Sequence, residues 1–141
     1  MLNDKDWKVI NCLKANGRLS VQKISKATGI PITTVHNRLK KLTKEKIIKK
    51  FTIELDQAKI GKQIAAYVLV TVDYKSLKEQ KLSQYDLTRK LLKMPEVEAS
   101  AMTTGGTDIV VKARTSTIEG LNKFVTVDLR NIEGIEKTQT M

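Results

Sequence analysis

The apolar residues of this 141-residue chain follow two different periods, and the change between them falls between Leu42 and Ile64. Before it they recur at intervals of three and four, the spacing that lines one side of a helix; after it, runs that alternate or continue as strands do come in between further helical stretches. Val9, Ile10 and Leu13 mark a first helix, opened by Asn3 as N-cap with Asp6 three residues later and ended at Asn16-Gly17. Ser20 caps a second helix that is expected to bury Val21, Ile24 and Ala27 and to stop at Thr28-Gly29, where glycine permits a left-handed turn. A third helix follows Ile30-Pro31 and puts Ile32, Val35, Leu39 and Leu42 on one side. Pro31 suits its first turn, where no amide donor is needed. Three helices and one tight glycine turn predict a helix-turn-helix domain over residues 1–50.

Ile47, Lys49, Phe51, Ile53 and Leu55 alternate as a strand would, and Lys59-Ile60-Gly61-Lys62 reads as a turn. Residues 51–63 are therefore expected to be a linker that contains a strand. Beyond it, Ile64 to Asp73 is rich in β-formers, and Ser83 to Met94 is helical, with Ser83 and Asp86 as a capping pair, Leu82 facing Leu87, and Pro95 as its stop. Val97 to Thr104 and Asp108 to Arg114 read as strands around Gly105-Gly106. A helix from Thr117 to Asn131, capped by Ser116 and Glu119, and a strand from Ile135 to Thr140 complete the chain. The order strand, helix, strand, strand, helix, strand is that of the ferredoxin-like split βαβ fold. The fold class expected is thus α+β: an N-terminal, winged helix-turn-helix domain, then a ferredoxin-like βαββαβ domain over residues 64–141.

Charge separates the same two halves. Residues 1–62 hold 15 Lys/Arg against 5 Asp/Glu, whereas residues 63–141 hold 11 against 10. A basic footprint confined to one helical segment points to a polyanion, with double-stranded DNA as the first candidate and an anionic membrane surface as the rival. Lys outnumbers Arg 21 to 5, which also fits a solvated lysine-rich face. The longest apolar run, Ile64 to Val72, is far shorter than the roughly 20 residues of a membrane helix, and Met1 to Asp6 lacks a secretory pattern. A cytoplasmic protein is expected. One cysteine, Cys12, and one histidine, His36, argue against a disulfide, a protein-built metal centre or any other cofactor site.

On a wheel of about 100° per residue, the third helix turns Thr33, Asn37, Lys40, Lys41 and Lys44 away from its apolar side, with Thr34 beside them and His36 and Arg38 flanking as further candidates to touch a base or a phosphate. Asparagine can pair bidentately with adenine, threonine offers a hydroxyl and a methyl, and lysine reaches phosphates. In helix-turn-helix proteins the start of this helix meets base edges, where Thr33, Thr34 and Asn37 lie. In the second half, the glycines of Thr104-Gly105-Gly106-Thr107-Asp108 let backbone amides approach a ligand, and Asp108 can pair with a cationic amino group. The same residues also suffice for a plain hairpin turn. Thr138, on the last strand, is a further candidate for such a pocket.

Leu2-Asn3-Asp4-Lys5-Asp6, Asn16-Gly17-Arg18-Leu19-Ser20, Ile24-Ser25, Gly29-Ile30, Val35, Arg38-Leu39, Leu42 and Ile47-Ile48 resemble the Lrp/AsnC, or feast/famine, regulators. Thr104 to Asp108 resembles that family's glycine loop, and Leu129 to Ile135 its closing helix and strand, so the resemblance spans nearly the whole chain. It implies a DNA-binding dimer that builds tetramers or octamers, with an amino acid or similar effector bound between subunits. The chain departs from the family pattern at Pro31, Thr43 and Thr107, and at Lys46, where a glycine usually closes the recognition helix. No nucleophile, base and orienting group assemble in the sequence, and Asp86, Glu96, Glu98 and Asp108 are scattered, so catalysis is not expected. The alternative is an architectural protein that coats DNA with little sequence preference.

Overall fold

In the computed structural model, which describes residues 1–141, the first compact unit, Met1–Glu54, holds α1 (Asp4–Ala15), α2 (Val21–Thr28) and α3 (Ile32–Lys44). The caps read from the sequence are present. Asn3 and Asp6 form a reciprocal capping box, Ser20 accepts from the Lys23 amide, and Gly29 ends α2 at φ 69°. Val9, Ile24, Ile30, Val35 and Leu42 meet in a small fully buried core. Two expected core residues lie outside it: Ala27 is exposed and Ile32 is 49% exposed, while Ile30, just before α3, is in the core.

The strand expected over Ile47–Leu55 does not form; residues 45–63 contain no strand. Alternation supplies a face but not a hydrogen-bonding partner, and the four strands of the chain pair only with one another. Its apolar row stays in solvent, with Ile53 76% exposed. Lys46, in the position that the family fills with glycine, takes the left-handed conformation at φ 56°. Its amide donates to the Thr43 carbonyl and that of Ile48 to Leu42, so a side chain that costs roughly 1 kcal/mol more there than glycine still closes α3.

The second unit, Leu55–Met141, runs β1 (Ile64–Val72), α4 (Tyr74–Glu79), α5 (Gln84–Leu92), β2 (Val97–Met102), β3 (Ile109–Thr115), α6 (Ile118–Lys123) and β4 (Ile135–Thr140). The sheet order is β2-β3-β1-β4, all neighbours antiparallel, as a split βαβ fold requires. α4 was not legible in the sequence: it is six residues long, capped by Asp73, and buries only Leu77. The cap of α6 is Thr117, whose hydroxyl accepts from the Gly120 amide, rather than the expected Ser116. α6 then widens into one π-helical turn, Phe124–Asp128, which seats Phe124 in the core.

Val68, Val70 and Val72 of β1 and Ile109, Val111 and Ala113 of β3 face the helices and pack on Leu77, Leu87, Leu91, Phe124 and Leu129. The other face has no helix. It presents Ala65, Tyr67, Leu69 and Thr71 of β1 in register with Arg114, Lys112, Val110 and, on β4, Lys137. Glu98 bonds Lys112 at 3.0 Å and also Arg114, and these two cations hold its carboxyl below the usual range, Lys112 foremost.

Gly134 turns the chain from the last helix into β4 at φ 95°, and a Cβ there would lie 2.5 Å from Cδ2 of the buried Leu77. Gly134→Ala is expected to cost about 2–4 kcal/mol and to lower the melting temperature by about 10 °C or more. Gly106→Ala, which meets open space, is expected to change it little. Thermal unfolding followed by circular dichroism checks both, and equal melting points would show that the Gly134 turn relaxes freely.

Candidate nucleic-acid interface and effector loop

The orientation of α3 follows from its two fully buried residues, Val35 and Leu42, one on each side of the half-buried Leu39. With that stripe fixed in the core, Thr33, His36, Asn37, Lys40, Lys41 and Lys44 are exposed and Thr34 is half-buried. No intramolecular hydrogen bond or ion pair occupies the side chains of Asn37, His36 or these three lysines. The preceding turn is held by side chains. The Ser25 hydroxyl donates to the Ile30 carbonyl at 2.6 Å, Thr28 donates to the Ile24 carbonyl at 2.7 Å, and the Ile30 amide donates to Thr28 Oγ1 at 3.3 Å. These bonds tie the turn at Thr28 and Ile30 back onto α2, a role for Ser25 that no periodicity discloses.

Arg38 differs from the other polar residues of α3. It is half-buried, and its Nη1 lies 3.5 Å from Oδ1 of Asp6 in α1. Along the flank of α3, His36, Leu39, Lys40, Thr43, Lys44 and Phe51 line a shallow groove of about 450 Å³. Phe51 belongs to the alternating row of Ile47 to Leu55, and its place beside α3 has no signal in the sequence.

In the second unit the loop between β2 and β3 is closed at its base by Thr103, whose amide donates to the Asp108 carbonyl at 2.8 Å and whose hydroxyl donates to the Thr107 carbonyl at 2.5 Å. Thr104, Gly105 and Gly106 at its tip are exposed, Gly105 at φ 124°, a conformation open to glycine. Thr107 and Asp108 are half-buried. Each polar group of Asp108 has a partner: Oδ2 accepts from the Val72 amide at 2.8 Å, Oδ1 from the Tyr74 hydroxyl at 2.7 Å, and its carbonyl from Gln84 Nε2 at 2.6 Å. The hydrogen bond to this carboxylate raises the Tyr74 pKa above the ordinary tyrosine value. Asp108 also donates its amide to the Val70 carbonyl, and Thr138 pairs with Val70 from the other side, so the two candidates flank one end of β1. Tyr74, Gln84 and Thr103 join this site without a sequence signal of their own.

No helix is long and apolar enough to cross a membrane. The family of winged helix-turn-helix DNA-binding domains matches residues 2–49, and the Lrp/AsnC ligand binding domain matches residues 65–141. The HTH-type transcriptional regulator FL11 of Pyrococcus furiosus is 39% identical over 142 residues, covering 100% of this chain and 88% of that protein. Its namesake in Pyrococcus horikoshii is 38% identical over 141 residues, covering 99% and 87%. Among solved structures, a Neisseria meningitidis transcriptional regulator in complex with L-Met superposes with a TM-score of 0.87 at 23% identity, covering 100% of this chain and 88% of that one. AsnC of E. coli superposes with a TM-score of 0.82 at 22% identity, covering 100% and 91%.

Proposed function

The chain belongs to the Lrp/AsnC family of DNA-binding transcription regulators, and from that premise we propose how it reads DNA, assembles and responds to a small molecule. α3 enters the major groove. Thr33, Thr34 and Asn37 meet base edges, His36 lies at the border of base and backbone, and Lys40, Lys41 and Lys44 bind phosphates. The observation that carries this reading is the exposed polar face of α3, whose Asn37 and lysines have no partner inside the protein. The protein acts by binding and not by catalysis: Asp86 caps α5, Glu98 bonds two cations and Asp108 ties the loop, so these carboxylates have structural tasks.

The division of labour follows the periodicity. Residues 1–50 bind DNA, residues 51–63 link, and residues 64–141 assemble subunits and receive the effector. Two copies join through the helix-free sheet face around Tyr67 and Leu69, which needs cover that the chain does not supply. Dimers of this kind can build tetramers or octamers. The effector is an amino acid. Its ammonium meets Asp108, whose oxygens each keep a free lone pair, its carboxylate meets the amides at Gly105 and Gly106, and Thr104, Thr107 and Thr138 border the pocket. The L-Met in the neisserial structure supports this ligand class.

Asn37→Ala is expected to lose about 1–3 kcal/mol of discrimination at one or two base positions, while Lys40→Ala and Lys41→Ala weaken all duplexes alike and reduce the salt slope by about one unit each. Binding titrations against duplexes selected from a random pool and against random DNA measure both. Equal losses for Asn37→Ala on every duplex would remove it from the reading set, and a wild type indifferent to sequence would make the protein a DNA coat.

Sedimentation at micromolar concentration is expected to give a dimer or larger species and the selected duplex an approximate palindrome; a monomer contradicts the sheet-face interface. Calorimetric titration with the twenty amino acids is expected to find at least one that binds wild type and binds Asp108→Ala more weakly. DNA must then change that ligand's affinity by the same factor by which the ligand changes DNA affinity. If none binds, the loop is only a hairpin turn.

A further inference from the structure

Asp6 is the only carboxylate of the chain that is fully buried, 1% exposed, and its two oxygens are not treated alike. Oδ2 accepts the Asn3 amide in the capping box at 2.9 Å. Oδ1 is buried with no hydrogen-bond partner and lies 3.5 Å from Arg38 Nη1, the one cation near it. A capping box needs one oxygen and works at the surface, so capping alone does not explain the burial. An ionised carboxylate left dry is costly unless a counter-charge faces it, and removing one member of such a pair is worse than never having had it. Arg38 stands next to Asn37 on α3, about 100° around the helix axis from it, on the flank turned toward α1.

We propose that Arg38 is a positioning residue: its pairing with the buried Asp6 fixes the rotation and axial register of α3 against α1, so that Thr33 and Asn37 present a single geometry to base edges. Arg38 therefore does not serve as a phosphate ligand, unlike Lys40, Lys41 and Lys44. The core alone holds α3 at Val35 and Leu42, two points on one stripe, and leaves rolling about that stripe resisted only by packing. The ion pair adds a third point off the stripe, at the level of the reading residues. The inference rests on the reading of α3 as the recognition helix, and it assigns to the start of α1 a part in specificity without any contact to DNA.

Three substitutions test it. Asp6→Asn keeps an oxygen for the Asn3 amide and replaces the charged oxygen that faces Arg38 with an NH2 donor; Arg38→Gln removes the cation; Arg38→Lys keeps a charge without the planar fork. Affinity for a selected duplex and for random DNA is measured across a salt series, at a temperature where circular dichroism shows each variant fully folded. Arg38→Gln and Asp6→Asn are each expected to lower the selected-to-random ratio by about 10-fold, a loosened version of the loss of one good base pairing. The salt slope is expected to remain that of wild type, and Asp6→Asn combined with Arg38→Gln to lose no more than the worse single change. Arg38→Lys is expected to recover part of the ratio. If Arg38→Gln does not fold, Asp6→Asn and its combination with Arg38→Lys carry the same comparison. A salt slope lowered by about one unit in Arg38→Gln, with Asp6→Asn indistinguishable from wild type, overturns the proposal and makes Arg38 a phosphate contact. Additive losses overturn it as well. Slope and coupling are read without reference to Asn37, so failure of the Asn37 reading and failure of the ion-pair proposal give different results.

Discussion

A helix of 13 residues that buries one narrow stripe must expose the rest, and this constraint on α3 sets what the N-terminal unit can do. The core beneath it is small: five fully buried side chains from three helices and a turn. At roughly 1.5–3 kcal/mol per buried aliphatic side chain, before the cost of ordering the chain is subtracted, such a core has little to spare. The unit therefore leans on local devices. A capping box opens α1, Ser20 opens α2, Ser25 and Thr28 lock the turn, and Asp6 meets Arg38. Each is local in space and most are local in sequence. Together they leave one polar, cationic surface free of internal partners.

In the second unit the corresponding constraint is Asp108. Its carboxylate bonds the end of β1 and the start of α4, and its carbonyl bonds α5, while its amide continues the ladder to β1. One residue thus joins elements that are far apart in sequence, at the base of a loop whose tip is glycine. A ligand held at the tip would act on Asp108, and through it on the end of the sheet whose other face is open. With the loop as the proposed effector site and the open face as the proposed subunit interface, these hydrogen bonds form a contiguous physical route between the two.

What the sequence discloses and what it hides divides along the same lines. Signals carried by neighbours in the chain were legible: Asn3 with Asp6, Ser20 before its helix, Gly29 after it, the four strands of the second unit and the outward residues of α3. Signals that need a partner elsewhere were not. Ile47 to Leu55 alternates like a strand, but nothing pairs with it. Tyr74 and Gln84 give no sign that they meet Asp108, and Phe51 none that it lies beside His36 and Lys40. α4 is too short for a period to show. Ile32 has the right phase on the wheel yet is 49% exposed, because periodicity records angle and not depth of burial.

The chemistry of the basic residues completes the division of work in α3. Lysine is a hydrated point charge on a flexible stem; it holds a phosphate without fixing its own orientation and yields affinity that salt removes. Arginine is planar, and its fork fixes geometry. Of the four cations on α3, three are lysines on the exposed face and the fourth is Arg38, turned against a buried carboxylate. The residues suited to loose attraction thus face outward, and the one suited to fixed geometry faces inward. On the proposed reading, attraction brings the helix to the backbone of any duplex, while the internal ion pair governs how exactingly Thr33 and Asn37 meet the bases once there. That reading assigns affinity and discrimination to different side chains, and a change in salt then acts on the first with little effect on the second.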